Sequence, residues 1–436
     1  MTATRLVLAI ALALALPAGA ADLVTLYRDA QVSDPVFQAA RAQYQATTER
    51  LPQARAGYLP QVTGSASVFH NYSERSGAPD RDYTTNTLAV TLAQPVLRLQ
   101  NWIAIDQARK VVIQAEAVLG NARQDLALRV AQAYFDVLLA QDNVALSETQ
   151  KTAIDQQLAQ AKRNFEVGTA TIVDTLEAQA RYDQAVAKEI FDRNDLEVKR
   201  RALTLLLGKV PDGGLTPLRE PLPLAEPKPG NIEEWVKTAV DSSYQVAIAR
   251  ANLDIAEQEV ARQRAGGLPT VDLSGSIARS DNPLTGAAGI SPVGRDASIG
   301  LTLSVPIFTG GLVQSRVREA LALRERSQQD FETTQRNVAQ SVRSSFLNVT
   351  SGIAQVRALQ QALVSTQSQL DSTVLGRDVG VRTSVDVLNA QQQVFQTRRD
   401  LQQARYNYLL NTLRLKAATG QLTDTDVEDV NRALGR

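Results

Sequence analysis

Val167 to Gln179 returns 212 positions later as Val379 to Gln391, and this duplication constrains what the chain can fold into more than any other feature. Arg55 to Val62 matches Arg264 to Val271 at an offset of 209. Leu92 to Leu97 matches Leu303 to Phe308 at 211, with Pro95 on Pro306, and Gly208 falls on Gly420 at 212. An offset that drifts by only three residues marks a tandem repeat. The copies join at Pro211 to Pro229, where six prolines in nineteen residues read as an extended linker. Each copy has the same order: a helical segment (Pro35 to Ala56, Ser243 to Ala265), two strand-like runs, a very long helical stretch, a glycine turn and a second long helix. Pro52 stands where the other copy has Ala261. A kink or an early stop is expected there, because proline removes a helical hydrogen bond and crowds the preceding turn.

The strand-like runs alternate with period two. Leu88, Val90 and Leu92 alternate with Ala89, Thr91 and Ala93. Val271, Leu273, Gly275 and Ile277 alternate with Asp272, Ser274, Ser276 and Ala278, and Ile299, Leu301, Leu303 and Val305 with Ser298, Gly300, Thr302 and Ser304. Runs of ~10 residues with one apolar and one polar face are the pattern of a membrane barrel, although two hairpins on a soluble core would share it. Val62 to Tyr72 borrows its register from the other copy. The tips, Ser73 to Asp82 and Asp281 to Asp296, are polar and suit extracellular loops. Phe69, Tyr72 and Tyr83 at one end, with Tyr58, Trp102 and Phe308 at the other, are expected to form two interfacial girdles.

No proline lies between Pro95 and Pro211 or after Pro306. The stretches running from there to Gly168 and Gly380 predict rods of ~100 Å at 1.5 Å per residue. Val338, Val342, Ser345, Val349, Gly352, Val356, Leu359, Leu363, Thr366 and Leu370 step by four and three. Leu126, Val130, Ala133, Val137, Ala140 and Val144 repeat the phase, and Val387, Val394, Leu401, Tyr408 and Leu415 recur every seven residues on the returning helix. That period means coiled-coil packing, with small residues in the seams for close approach. Four strands cannot close a barrel and open edges are not tolerated in lipid, so an oligomer is required; two, three or four copies would give 8, 12 or 16 strands.

Composition narrows the function. With 46 basic and 46 acidic residues there is no basic excess for a nucleic-acid partner. No cysteine and one histidine, His70, exclude thiolate chemistry and a histidine metal cluster, so no cofactor is expected. No acid, base or nucleophile constellation stands out, and Gly208-Lys209 lacks the rest of a P-loop, so no enzyme is expected. Arg5, the apolar run Leu6 to Leu16 and Ala18-Gly19-Ala20 read as a secretory signal peptide over 1–20. Its removal leaves 45 basic against 46 acidic residues. No later stretch is apolar enough for a membrane helix, so entry into a membrane would be as a barrel.

Val342-Arg343-Ser344-Ser345-Phe346, Val379 to Leu388 and Ala404 to Leu410, together with the duplication, resemble the TolC family of outer-membrane channel-tunnels over essentially the whole mature chain. The resemblance implies a mainly α fold with a small β part: a homotrimer whose four strands per chain form a 12-stranded transmembrane β-barrel continuous with a 12-helix coiled-coil tunnel. It implies a passive exit duct for type I secretion or drug efflux, in the outer membrane and reaching into the periplasm. A periplasmic adaptor (membrane fusion) protein and an inner-membrane ABC or proton-driven pump would recruit it. The implied division is a signal peptide over 1–20, periplasmic helices over 21–57, a barrel hairpin over 58–97 and a long helical hairpin over 98–207. A linker and equatorial belt over 208–235, a helix over 236–267, the second barrel hairpin over 268–308, the second helical hairpin over 309–420 and a C-terminal belt segment over 421–436 complete it.

Resemblance also maps a periplasmic gate onto Asp174, Arg382 and Asp386. Arg382 would bridge to Asp174 on the neighbouring hairpin, and Asp386 from three chains would ring the constriction. A second acidic ring of the family falls on Asn389 and a bridging tyrosine on Arg377, where this chain departs from the pattern. Thr171-x-x-Asp174 and Thr383-x-x-Asp386 also read as helix capping boxes after the turns at Gly168 and Gly380, and capping alone accounts for Thr171, Thr383 and much of Asp174. Asp386 is expected to face a pore as well, since three copies about an axis share one field. His70 reads as a solvated loop-end residue. The competing reading is a periplasmic coiled-coil adaptor or scaffold without a pore, against which the duplicated hairpins and apolar-out strands stand.

Overall fold

The computed structural model describes residues 21–211, 213–283 and 292–435. The expected signal peptide and the middle of the second hairpin tip lie outside these. The chain divides into two compact units, one holding 42–118 and 247–334 and the other 1–41, 119–246 and 335–436.

The first of these units holds a four-stranded antiparallel sheet in the order β1-β2-β3-β4, formed by β1 (Gln61–Arg75), β2 (Ala78–Leu97), β3 (Thr270–Asp281) and β4 (Val293–Ser304). The register carries the alternation across the whole sheet. Leu92 pairs with Val62 and Gly275, Val90 with Gly64 and Ile277, and Leu301 and Leu303 with Leu273 and Val271. One face is therefore apolar and open: Val62, Val68, Leu88, Ile277, Ile299, Leu301 and Leu303 are each at least 60 % exposed. The other face is small and polar, and Ser276 and Ser298 hydrogen-bond across it at 2.9 Å. The expected girdle of Phe69, Tyr72 and Tyr83 is split by strand parity. Phe69 pairs with Thr85 and Asn71 with Tyr83 in an unbroken register, so Phe69 and Tyr83 fall on the polar face and only Tyr72 stays with Val62. At the opposite end Tyr58 and Trp102 do meet, with ring centroids 4.7 Å apart. Beside them Arg98 pairs with Asp272 at 2.8 Å. His70 lies within β1, not beyond it, and its Nε2 sits 2.9 Å from Asp82.

Pro52 breaks its helix and lets it resume. Helix α1 spans Leu23–Ser33, α2 Pro35–Thr48 and α3 Arg50–Ala56. The break falls at Glu49, directly after Thr48, whose carbonyl four residues before Pro52 loses its donor. In the other copy, where Ala261 stands, the helix Tyr244–Ala265 is continuous.

The second unit takes most of the long helices, whose residues 99–118 and 312–334, like 247–265, fall in the first. The proline-free stretches become α4 (Leu99–Glu166) with α5 (Ile172–Leu207), and α8 (Leu312–Asp378) with α9 (Ser384–Ala418); α6 (Ile232–Ser242) and α7 (Tyr244–Ala265) lie between the pairs and α10 (Asp424–Arg432) closes the chain. The heptad seam of α9 is buried at every step, with Val387, Val394, Leu401, Tyr408 and Leu415 all at most 4 % exposed. Val338, Val342, Val349 and Val356 are buried likewise on α8, and Gly352 lies 3.9 Å from the Tyr408 Cβ as measured from a Cβ built on it. That is ordinary contact, so the seam has room for a methyl at Gly352.

Around the middle of α4, and at the ends of α5 and α9, the linker, α1 and α10 pack against the long helices. Leu215 bridges Ala21, and Leu218 bridges Leu434. The Tyr134 hydroxyl donates to Thr216 O at 2.8 Å, and Asn431 Oδ1 accepts from Leu23 N at 3.0 Å. Tyr406 donates to Asp142 at 2.7 Å; burial pushes the Asp142 carboxyl up from its ordinary range, and this hydrogen bond opposes the shift. α6 begins at Ile232, inside the stretch expected as linker over 208–235. The two repeat-ending glycines adopt φ values of +66° (Gly208) and +76° (Gly420). A Cβ at Gly420 would also meet the Ser242 carbonyl at 2.4 Å, whereas Gly168, with the same φ of +76°, has nothing within 4 Å. Gly168→Ala should cost about 1–2 kcal/mol, the left-handed penalty alone. Gly420→Ala should lower the denaturation midpoint clearly more, and equal midpoints in thermal melts would contradict that difference.

Candidate gate at the hairpin tips

The repeated motifs build two identical turns. After α4, Gly168 N–H donates to Phe165 O at 3.0 Å and Thr169 N–H to Asn164 O at 2.8 Å; after α8, Gly380 N–H donates to Arg377 O at 3.0 Å and Val381 N–H to Gly376 O at 2.8 Å. The six-to-one bond and a left-handed glycine close each helix end. Each following helix then opens on a reciprocal cap. The Thr171 N–H and hydroxyl donate to Asp174 Oδ2 at 3.0 and 2.8 Å, and those of Thr383 to Asp386 Oδ2 at 2.9 Å each. In both boxes the bonds fall on one carboxylate oxygen. The second oxygen takes no hydrogen bond among the described residues.

Asp386 is the charged centre of this end. The Thr383 backbone N–H, then its hydroxyl, hold the Asp386 carboxyl below the usual carboxylate range; desolvation opposes them, and the Arg382 charge adds a still smaller downward pull. Arg382, Asp386 and Asn389 line one open polar groove together with Thr366, Gln369 and Thr373 of α8. Arg382 is seated by a residue that carries no side chain: a Cβ at Gly376 would lie 2.7 Å from the Arg382 Cγ. The other copy has Asn164 and Ala170 at these two places, so the bulky partner has changed sides between the repeats.

Of the residues expected in the gate, the structure brings together Arg382, Asp386 and Asn389. Asp174 is engaged with Thr171, and within one chain no ion pair joins it to Arg382 among the described residues. Arg377 turns to its neighbour Asp378 at 2.7 Å. Arg181 of α5 was missed by the sequence reading. It donates to Asn389 Oδ1 at 3.1 Å and Gln392 Oε1 at 2.9 Å, while Gln157 of α4 donates to Gln391 at 2.7 Å. Beneath these polar links Leu388 packs on Ile154, Ala185 and Tyr182. The two helical hairpins of one chain are thus fastened side by side near their tips. Nothing in the local sequence marks Arg181, which stands about two turns along from Asp174 on the same helix face.

The match to known proteins covers both repeats. Residues 26–209 and 235–421 fit the family model described as Outer membrane efflux protein. The chain belongs to the outer membrane efflux protein family. Outer membrane protein TolC of Vibrio cholerae serotype O1 is 33 % identical over 416 residues, covering 95 % of this chain and 94 % of that protein. Alkaline protease secretion protein AprF of Pseudomonas aeruginosa is 31 % identical, covering 94 % and 86 %. Among solved structures, CusC superposes with a TM-score of 0.80 at 20 % identity over 91 % of this chain and 92 % of that one, which shows the fold. Family membership places this chain in the outer membrane, and it accounts for a sheet whose apolar face is open while no helix among the described residues is long and apolar enough to cross a membrane.

The depressed Asp386 carboxyl has a pH consequence with a definite sign. Its cap stabilises the tip above the unfolded aspartate value of about 4 and loses that contribution as pH falls through the lower folded value. Hydrogen-exchange protection over 379–388 should therefore hold from pH 7 to about 4 and drop below it. Thr383→Val should remove that protection at every pH; protection unchanged by the substitution would contradict the cap.

Proposed function

We propose that three copies of this chain form a 12-stranded barrel in the outer membrane continuous with a 12-helix tunnel through the periplasm. The assembly acts as the passive exit duct of a tripartite secretion or efflux system. The observation that carries this reading is the sheet: four antiparallel strands with an apolar face and both edges unpaired among the described residues. In hydrocarbon such edges must close on further strands. The relatives named for protein secretion and the family named for efflux support an export role, with a periplasmic adaptor recruiting the duct to an inner-membrane ABC or proton-driven pump that supplies the energy. The chain itself is not an enzyme on this reading; its work is to supply a water-filled path and a gate.

The gate lies at the hairpin tips. Asp386 from three chains rings the constriction, with its free oxygen toward the axis and its other oxygen committed to Thr383. Arg382, held over Gly376, reaches Asp174 of the neighbouring hairpin across the chain boundary. Arg181 takes the place of a pore-facing role for Asn389 by holding that amide between helices. The selective ring is then one acidic layer, not two, and Arg377, paired with Asp378, contributes no bridge. Such exposed links are weak singly and act as a set.

Single-channel recordings in planar bilayers test the assignment. Arg382→Ala should raise the closed-state conductance, and Asp386→Ala should weaken block by divalent cations. Unchanged conductance in the first variant removes Arg382 from the gate, and unchanged block in the second rejects the acidic ring.

A further inference from the structure

Arg279 of β3 and Arg295 of β4 are direct cross-strand partners, and both are exposed. Parity puts them on the apolar face, one rung beyond the Ile277–Ala297 pair. Like charges directly opposite on a sheet destabilise it. Neither guanidinium has an ion-pair partner among the described residues. Asp281, the nearest acidic residue on that face, lies one rung further on beside Val293; Asp82 is held by His70 at 2.9 Å; and Asp296 belongs to the other face, near Gly294 and Ser280. Two cations set side by side with nothing between them are complementary to an anion that both can grip.

The position says which kind of anion. From Val305 the apolar face of β4 runs through Leu303, Leu301, Ile299 and Ala297 to Arg295. At ~3.3 Å per residue and a tilt of ~40°, that places Arg295 about 25 Å up the barrel wall, the height of the apolar band. The arginines therefore stand at the headgroup level on the side away from the helices. Over the next two rungs of the same face, Ile277 is 68 % and Ile299 79 % exposed, a surface for acyl chains. Guanidinium forks match phosphate oxygens in a bidentate fashion.

We propose that Arg279 and Arg295 form a binding site for the phosphate of an outer-leaflet lipid headgroup, one site per chain around the barrel. The site rests on the barrel reading above. The bound phosphate relieves the repulsion between the two guanidinium groups and fixes the sheet at its outer rim, where β3 and β4 approach their tip.

Native mass spectrometry of the detergent-purified full-length assembly tests it, with a bis-phosphorylated disaccharide glycolipid as probe, its dephosphorylated form as control and inorganic phosphate as competitor. The wild-type channel should retain the phosphorylated lipid at least fivefold better than Arg279→Gln/Arg295→Gln, with the dephosphorylated lipid bound equally by both. Equal retention of the phosphorylated lipid by the two proteins overturns the site. Displacement by millimolar inorganic phosphate overturns its assignment to a lipid. Should the double variant fail to assemble, the wild-type comparison still decides, because equal retention of the two lipids overturns the proposal. Channel current from the same preparations reports on the duct separately, so current without lipid preference sinks this site and leaves the duct standing.

Discussion

In hydrocarbon, every backbone N–H and C=O of a strand needs a partner, and β1 and β4 each offer one whole edge that no other strand among the described residues satisfies. The sheet cannot curl shut on four strands, and its apolar face cannot turn inward to a core of its own. Everything else answers to that condition. The duplication supplies two hairpins at a time, so closure proceeds in steps of four strands. The long helices inherit the same multiplicity, and their small-residue seams let many rods pack about one axis.

The two repeats have kept their turns and caps while diverging where a gate would need them to. Both tips use a left-handed glycine and a Thr-x-x-Asp box with nearly superimposable hydrogen bonds. Only the second has a glycine under an arginine, Gly376 beneath Arg382, where the first has Asn164 and Ala170. One box is a helix start. The other is a helix start whose carboxylate shares a groove with Arg382, and that charge adds a small downward pull on the Asp386 carboxyl to the larger one from Thr383.

Much of this was legible in the sequence, for physical reasons that can be named. Heptad spacing is a local signal, and the buried run from Val387 to Leu415 follows it step by step. Alternation in β2, β3 and β4 likewise gave the faces of the sheet. Of the two expected girdles, the one near the first hairpin tip does not form, because parity, not closeness to a strand end, decides which face Phe69 and Tyr83 take. Arg181 was invisible because its partners Asn389 and Gln392 lie over 200 positions away, and no periodicity reports a hydrogen bond between hairpins. The seat of Arg382 on Gly376 was equally hidden: a helical glycine near a turn reads as a cap, and its use as a space appears only with the folded tip.

The absence of cysteine from the natural sequence makes the strand edges directly accessible to crosslinking. Ser298→Cys on β4, combined in turn with Thr63→Cys, Ser65→Cys, Ser67→Cys or Asn71→Cys on β1, can be oxidised in isolated membranes and resolved by mass. If β4 of one copy pairs with β1 of the next around a closed ring of three, at least one combination yields linked dimers and trimers with nothing larger. Unlinked monomers at every register, or a ladder that continues past three, would contradict the closed barrel.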